Sequence, residues 1–230
     1  MGSKPSRARS PRASDLESAL ELLRNFQTVL VIDDSRSMKG ALWEQAGKAL
    51  QDLAAVVSEY DTDGLEIHFF NSPVCAKGVK RTEEVEAVFA KVTPTNSTPM
   101  GRKLQTLLDE YLSALKRNPG LKHINYIVIT DGAPTDRAES EPELVIVKAA
   151  RELESKNALL TQVGIQFCQI GSNTAATRYL ESLDNNLRTK YNIRDMVDTT
   201  FAPVDKPLDI IKILTGGINR RVDEYGSKGL

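Results

Sequence analysis

Thr28-Val29-Leu30-Val31-Ile32-Asp33-Asp34-Ser35-Arg36-Ser37 is the stretch whose reading decides the fold. Its first five residues are mostly apolar and β-branched, which predicts a buried strand. The chain then turns abruptly to carboxylates and hydroxyls, and after Gly40 an amphipathic helix follows. Strand, short polar loop and helix make the opening unit of an α/β sheet, in which ligands bind at the C-terminal strand ends. Asp33, Ser35 and Ser37 alternate, so an extended loop aims all three one way. One carboxylate and two hydroxyls converging on a point suit a small hard cation, which prefers oxygen ligands.

The same pattern recurs outward from this stretch. Helices are expected over 15–24, 41–60, 82–91, 101–117, 142–157, 173–187 and from Pro207 to about 222. Strands are expected over 27–33, 65–70, 124–130, 163–170 and 197–199. Residues 74–79 read as a short edge strand, with Pro73 and Lys77 discouraging further pairing. Alternating strands and helices predict a doubly wound, Rossmann-like α/β fold. Its central sheet has about six strands, mostly parallel with one short antiparallel edge strand, and helices cover both faces. The folded domain is expected to span 25–222. Residues 1–14 precede it as a disordered basic Ser/Pro/Arg-rich tail, and 223–230 follow as a flexible end.

Composition sets the outer bounds. The 230 residues are 40% hydrophobic and 27% charged, ordinary for a globular chain with one good core. A net charge of −1 with no basic stripe gives no electrostatic case for nucleic acid. No apolar run reaches the roughly 18 residues of a membrane span, and no signal-peptide apolar region is read at the start. Cys75 and Cys168 sit among apolar neighbours and read as reduced core cysteines of a cytoplasmic protein. Met1-Gly2-Ser3-Lys4-Pro5-Ser6 fits the acylation pattern at Gly2, and Lys4, Arg7, Arg9 and Arg12 would supply a second membrane signal. The plainer reading of that segment is a solubilising tail. His68 reads as a packed or edge-facing histidine, and His123 as a surface one.

Three places change from structural to polar character: 33–37, 95–98 and 131. The first and third end central strands and open on one sheet edge. If the middle loop arches over that edge, Thr98 adds a third hydroxyl. The predicted set is then Asp33, Ser35, Ser37, Thr98 and Asp131.

Asp-x-Ser-x-Ser after an apolar strand, Thr-Pro-x-Gly before a helix and Ile-Thr-Asp-Gly after a later strand together resemble the von Willebrand factor type A domain. The likeness is to its metal-ion-dependent adhesion site and extends over about residues 25–222. Asp33 to Met38, Val128 to Asp136 and Asn219 to Arg221 are similar to stand-alone intracellular type A domains common in fungi. The resemblance implies that Ser35, Ser37 and Thr98 touch a cation through their hydroxyls. Asp33 and Asp131 would hold it mainly through water or one direct bond. It implies Mg²⁺, or Mn²⁺ in its place, and an Asp or Glu carboxylate of a partner protein in the open position. Where the family often has Gly, this chain has Arg36. With Asp34 and Asp136 it is expected near the partner-binding rim, although the alternation turns Asp34 away from Asp33 and favours a capping role.

Three functions are weighed. The first is a metal-dependent protein-binding module; its plain alternative, that Asp33 and the serines only cap a helix, leaves Thr98 and Asp131 unexplained. The second is a Mg²⁺-dependent phosphohydrolase with Asp33 as nucleophile, but that chemistry wants a second carboxylate where Ser35 stands. No Gly-rich phosphate loop or serine elbow supports an enzyme. The third is a membrane-peripheral scaffold acylated at Gly2.

Overall fold

A computed structural model describes residues 20–202 and 208–216. The tail, Gly2, residues 15–19 of the 15–24 helix, Pro207 and Asn219 to Arg221 lie outside the described residues. Six strands form one sheet: β1 (Phe26–Ile32), β2 (Leu65–Phe69), β3 (Cys75–Val79), β4 (His123–Thr130), β5 (Val163–Ile170) and β6 (Val197–Ala202). Five helices are α1 (Ala41–Tyr60), α2 (Thr82–Phe89), α3 (Met100–Arg117), α4 (Pro142–Ser155) and α5 (Thr174–Tyr191). A sixth, α6, occupies 210–216.

The strand order is β3-β2-β1-β4-β5-β6, and every neighbouring pair is parallel except β2 with β3. This is the doubly wound, Rossmann-like arrangement expected from the sequence. The chain winds outward from β1 to β3, then returns to lay β4 against the other side of β1. Between β1 and β4 the connections leave in opposite directions, so their following loops part and open a crevice.

Burial of the strands explains their composition. β4 and β5 are buried almost end to end, as a sheet covered on both faces requires. One face carries Val29, Val31, Tyr126, Val128, Ile165 and Phe167 against α3, α4 and α5. The opposite face carries Leu30, Ile32, Ile127, Ile129, Cys168 and Ile170 against α1, α2 and α6. Helix α3 buries Leu104, Leu107, Leu108, Tyr111, Leu112 and Leu115, the stripe its sequence predicts. Asp136, expected near the rim, is held at the start of α3. Its carboxylate accepts the backbone N–H groups of Gly101 and Arg102 at 2.9 Å each, capping α3 from a distant loop.

Several expectations are corrected. Cys75 is exposed rather than buried, because edge strand β3 buries only Val79. Cys168 is buried as expected, and burial pushes its thiol pKa up. His123 is not a free surface histidine. Its ring packs edge-on against Phe26, with centroids 5.2 Å apart, and Nδ1 has no hydrogen-bond partner. The helix expected to reach residue 24 gives way to a 3₁₀ turn at Leu22–Asn25, which turns the chain into β1. Helix α5 runs to Tyr191, beyond the expected end at 187, and stops where Asn192 adopts a left-handed conformation. His68 is a packed edge histidine as read, with Nε2 2.7 Å from Glu66.

Two predictions come from this packing. A Cβ at Gly101 would lie 1.9 Å from the Ser140 carbonyl oxygen and 2.8 Å from Pro142. Gly101→Ala should therefore cost about 3 kcal/mol or more in urea unfolding, because backbone must move. Burial lowers the His123 pKa. A histidine depressed in the folded state gives stability that is full above its unfolded pKa of about 6.5 and is lost as pH falls through the folded value. The stability of the native chain relative to His123→Phe should therefore fall as pH drops below about 6.5, read by urea unfolding of both across pH.

Candidate functional site

The site lies where β1 and β4 end side by side. Their register pairs Ile32 with Ile129, and the Asp33 N–H donates to the Ile129 carbonyl at 2.9 Å. The next residues on each strand, Asp33 and Thr130, are thereby brought together. Thr130 Oγ1 donates to Asp33 Oδ2 at 2.6 Å and accepts from the Gly132 N–H at 3.2 Å. Asp33 Oδ1 accepts the Ser35 N–H at 2.8 Å, folding the loop back over the strand end. Asp33 is fully buried.

Beyond Asp33 the chain enters a 3₁₀ turn, Arg36–Met38. The turn carries the hydroxyls around toward β4. Ser35 Oγ and Ser37 Oγ are 3.1 Å apart, and Ser37 Oγ donates to Asp131 Oδ1 at 2.9 Å. Met38 anchors the turn as a fully buried side chain in the core beneath.

The middle loop does arch over this edge. The Arg36 N–H donates to the Asn96 carbonyl at 3.2 Å, and the Thr95 N–H to the Asp34 carbonyl at 2.7 Å. Asn96 turns the loop with a left-handed φ of 64°, which Asn tolerates better than most residues. Thr98 is held at both backbone groups by Thr135. Its N–H donates to Thr135 Oγ1 and its carbonyl accepts the Thr135 N–H, each at 2.9 Å. This leaves the Thr98 side chain beside the Asp131-Gly132 step, with Oγ1 4.0 Å from where a Cβ on Gly132 would stand. Ser35, Ser37 and Asp131 are thus linked at one edge beside Asp33, and Thr98 Oγ1 lies next to the Asp131-Gly132 step.

The rim residues separate. Arg36 is exposed at the mouth. Asp34 is 1% exposed and turned down into the fold. Its carboxylate accepts from Asn71 N at 2.8 Å, Asn71 Nδ2 at 3.0 Å and Ser72 N at 2.8 Å. It thus ties the loop after β2 to the loop after β1 and does not face a partner, in line with the alternation that turned it from Asp33. Thr130 and Thr135 lie within the Val128 to Asp136 motif, but their positioning roles are visible only in the structure, since both act on partners more than 30 positions away.

Electrostatically the site is short of positive charge. Burial is the main cause that pushes the Asp33 carboxyl up to about 6, with the neighbouring Asp131 adding repulsion against the hydrogen bonds of Ser35 and Thr130. Burial also raises Asp131, opposed by the Ser37 hydroxyl. Two carboxylates and three hydroxyls form an all-oxygen donor set, which fits a hard divalent cation and not a thiophilic one. Spacing gives a second test of fit. Two oxygens at right angles, each about 2.0–2.1 Å from Mg²⁺, lie about 3 Å apart. The Ser35–Ser37 and Ser37–Asp131 separations of 3.1 and 2.9 Å match that edge length. Neither here nor elsewhere among the described residues do three His, Cys, Asp or Glu side chains form a metal-binding group. No described helix is long and apolar enough to cross a membrane.

Asp34→Ala should destabilise the chain by about 2–4 kcal/mol in denaturant unfolding, since it leaves buried N–H groups of Asn71 and Ser72 without an acceptor.

No family model matches this chain, and no curated protein is a significant match to it. Among solved structures, it is similar to the vWF domain of the type V pili tip protein Mfa5 from Porphyromonas gingivalis, at 10% identity and a TM-score of 0.47. The match covers 86% of this chain and 94% of that one.

Proposed function

We propose that this chain is a metal-ion-dependent protein–protein interaction module of the von Willebrand factor type A kind. It would hold Mg²⁺, or Mn²⁺, at a metal-ion-dependent adhesion site. Ser35, Ser37 and Thr98 would be the hydroxyl ligands, with Asp131 beside them. Asp33, whose two oxygens are already hydrogen-bonded, would act mainly through water or by orienting Ser35. The observation that carries this reading is the row Ser35 Oγ, Ser37 Oγ and Asp131 Oδ1, spaced at 3.1 and 2.9 Å across segments more than 90 residues apart. The bound cation would supply positive charge and one open position for a partner's Asp or Glu carboxylate. Neutral hydroxyls suit that task, because they leave most of the ionic charge uncompensated for the incoming anion. Exposed Arg36 adds a second attraction for an acidic partner at the mouth.

The burial of Asp33 favours binding over catalysis. A carboxylate nucleophile must reach the phosphorus it attacks, yet Asp33 is fully buried with both oxygens occupied. No observation favours the acylated scaffold, which depends on residues outside those described.

The test is thermal unfolding with and without Mg²⁺ or Mn²⁺. A ligand of the folded state at 100 times its Kd stabilises by about 2.7 kcal/mol. The native chain should show a saturable rise in Tm that EDTA reverses, and Ser37→Ala should abolish most of it. An equal response in native chain and Ser37→Ala would overturn the reading. Partner capture from source cells in Mg²⁺ should in turn be lost in Asp33→Ala and in EDTA.

A further inference from the structure

Helices α1 and α2 cover the same sheet face, and between them runs an open groove of about 430 Å³. Its α1 wall is Trp43, Gly47 and Gln51, spaced four residues apart so that they form one ridge. Gly47 has no side chain, which lowers that ridge in the middle. A Cβ there would meet the Phe89 ring at 3.5 Å, an ordinary contact, so anything longer would fill part of the groove. The α2 wall is Val85, Glu86 and Phe89.

The floor is aromatic. The Trp43 and Phe89 ring centroids are 4.5 Å apart. Phe69, fully buried at the end of β2, lies 6.0 Å from Trp43 and 5.7 Å from Phe89. Trp43 and Phe89 themselves are only partly buried. The fold thus leaves aromatic surface in a recess, the composition and shape of a binding hot spot.

Charge says what fits it. Glu44 and Glu86 line the groove from its two sides, and both are exposed. Glu86 accepts one hydrogen bond from Gln51 Nε2 at 3.2 Å, and no base among the described residues pairs with either carboxylate. Lys48, the one base among the described lining residues, is paired with Asp52 at 3.6 Å. An apolar floor between two carboxylates complements an apolar stripe flanked by ammonium or guanidinium groups. A groove between two helices admits the side-chain ridge of a third. Lysine and arginine stems cover aromatic surface while their charged ends stay in water.

We propose that the α1–α2 groove docks a basic amphipathic helix of a partner protein, with an apolar side chain on Trp43 and Phe89 and a Lys or Arg facing Glu44 and Glu86. None of the five candidate metal ligands lines this groove, so the docking stands apart from the metal site.

The test uses Trp43, the only tryptophan of the chain, as its own reporter. Two synthetic amphipathic helical peptides with the same leucine face are titrated into the full chain in EDTA, which separates the outcome from the metal reading. One carries lysines on its polar face and the other glutamates. The lysine peptide should shift Trp43 emission to shorter wavelength, saturably, and bind at least about tenfold more tightly than the glutamate peptide. The Glu44→Gln/Glu86→Gln double variant should lose most of that preference. Gly47→Leu, which fills the groove, should abolish the shift; should it fail to fold, the double variant decides. No saturable shift, equal binding of the two peptides, or a preference unchanged in the double variant would overturn the proposal. So would Trp43 emission that moves on dilution of the chain alone, because a second copy would then be the occupant.

Discussion

The lateral bond between the ends of β1 and β4 is the constraint on which the rest depends. Strands 97 positions apart at their Thr130–Asp33 contact become neighbours only because the chain winds out to β3 and then returns to the other side of β1. Once Ile32 and Ile129 are in register, Asp33 and Thr130 must emerge together, and the hydroxyl of one satisfies the carboxylate of the other. Hydrophobic burial fixes the register. A slip of one residue would turn Leu30, Ile32, Ile127 and Ile129 away from the helices that cover them. The core therefore sets the site geometry to within a hydrogen-bond length without any of its residues touching a ligand.

That geometry has an electrostatic cost. Burial raises the proton affinity of both Asp33 and Asp131, Asp131 adds repulsion at Asp33, and no basic side chain pairs with either one within the described bonds. A fold selected only for stability would pair or expose them. Asp34 shows the contrast. One position along the same loop, it too is buried, but three N–H donors satisfy it. Neighbouring carboxylates thus divide into one that builds the loop and two, Asp33 and Asp131, that are buried beside hydroxyls without a basic partner among the described bonds.

Much of this was legible from residue pattern alone. The five apolar stripes and the polar breaks at strand ends follow directly from periodicities of 2 and 3.6, and the structure reproduces them. The failures share a cause. Cys75, amid apolar neighbours, was read as core, but β3 is an edge strand, and edge position is a property of sheet order. His123 lacked any sequence partner, yet Phe26 lies beside it because β1 and β4 pair. Asp136 looked like a rim acid until the loop carrying it reached the start of α3.

The sequence by itself determined the strands, most of the helices and the doubly wound class, and it singled out five oxygen-bearing residues as candidates, since each is a local matter of periodicity and residue chemistry. Tertiary structure alone decided which side chains share a wall. The direction of Asp34, the support of Thr98 by Thr135, the exposure of Cys75 and the meeting of Trp43 with Phe89 all depend on contacts between segments distant in the chain. Such contacts are fixed by the joint packing of two cores on one sheet, a global minimum to which no short stretch of sequence holds the key.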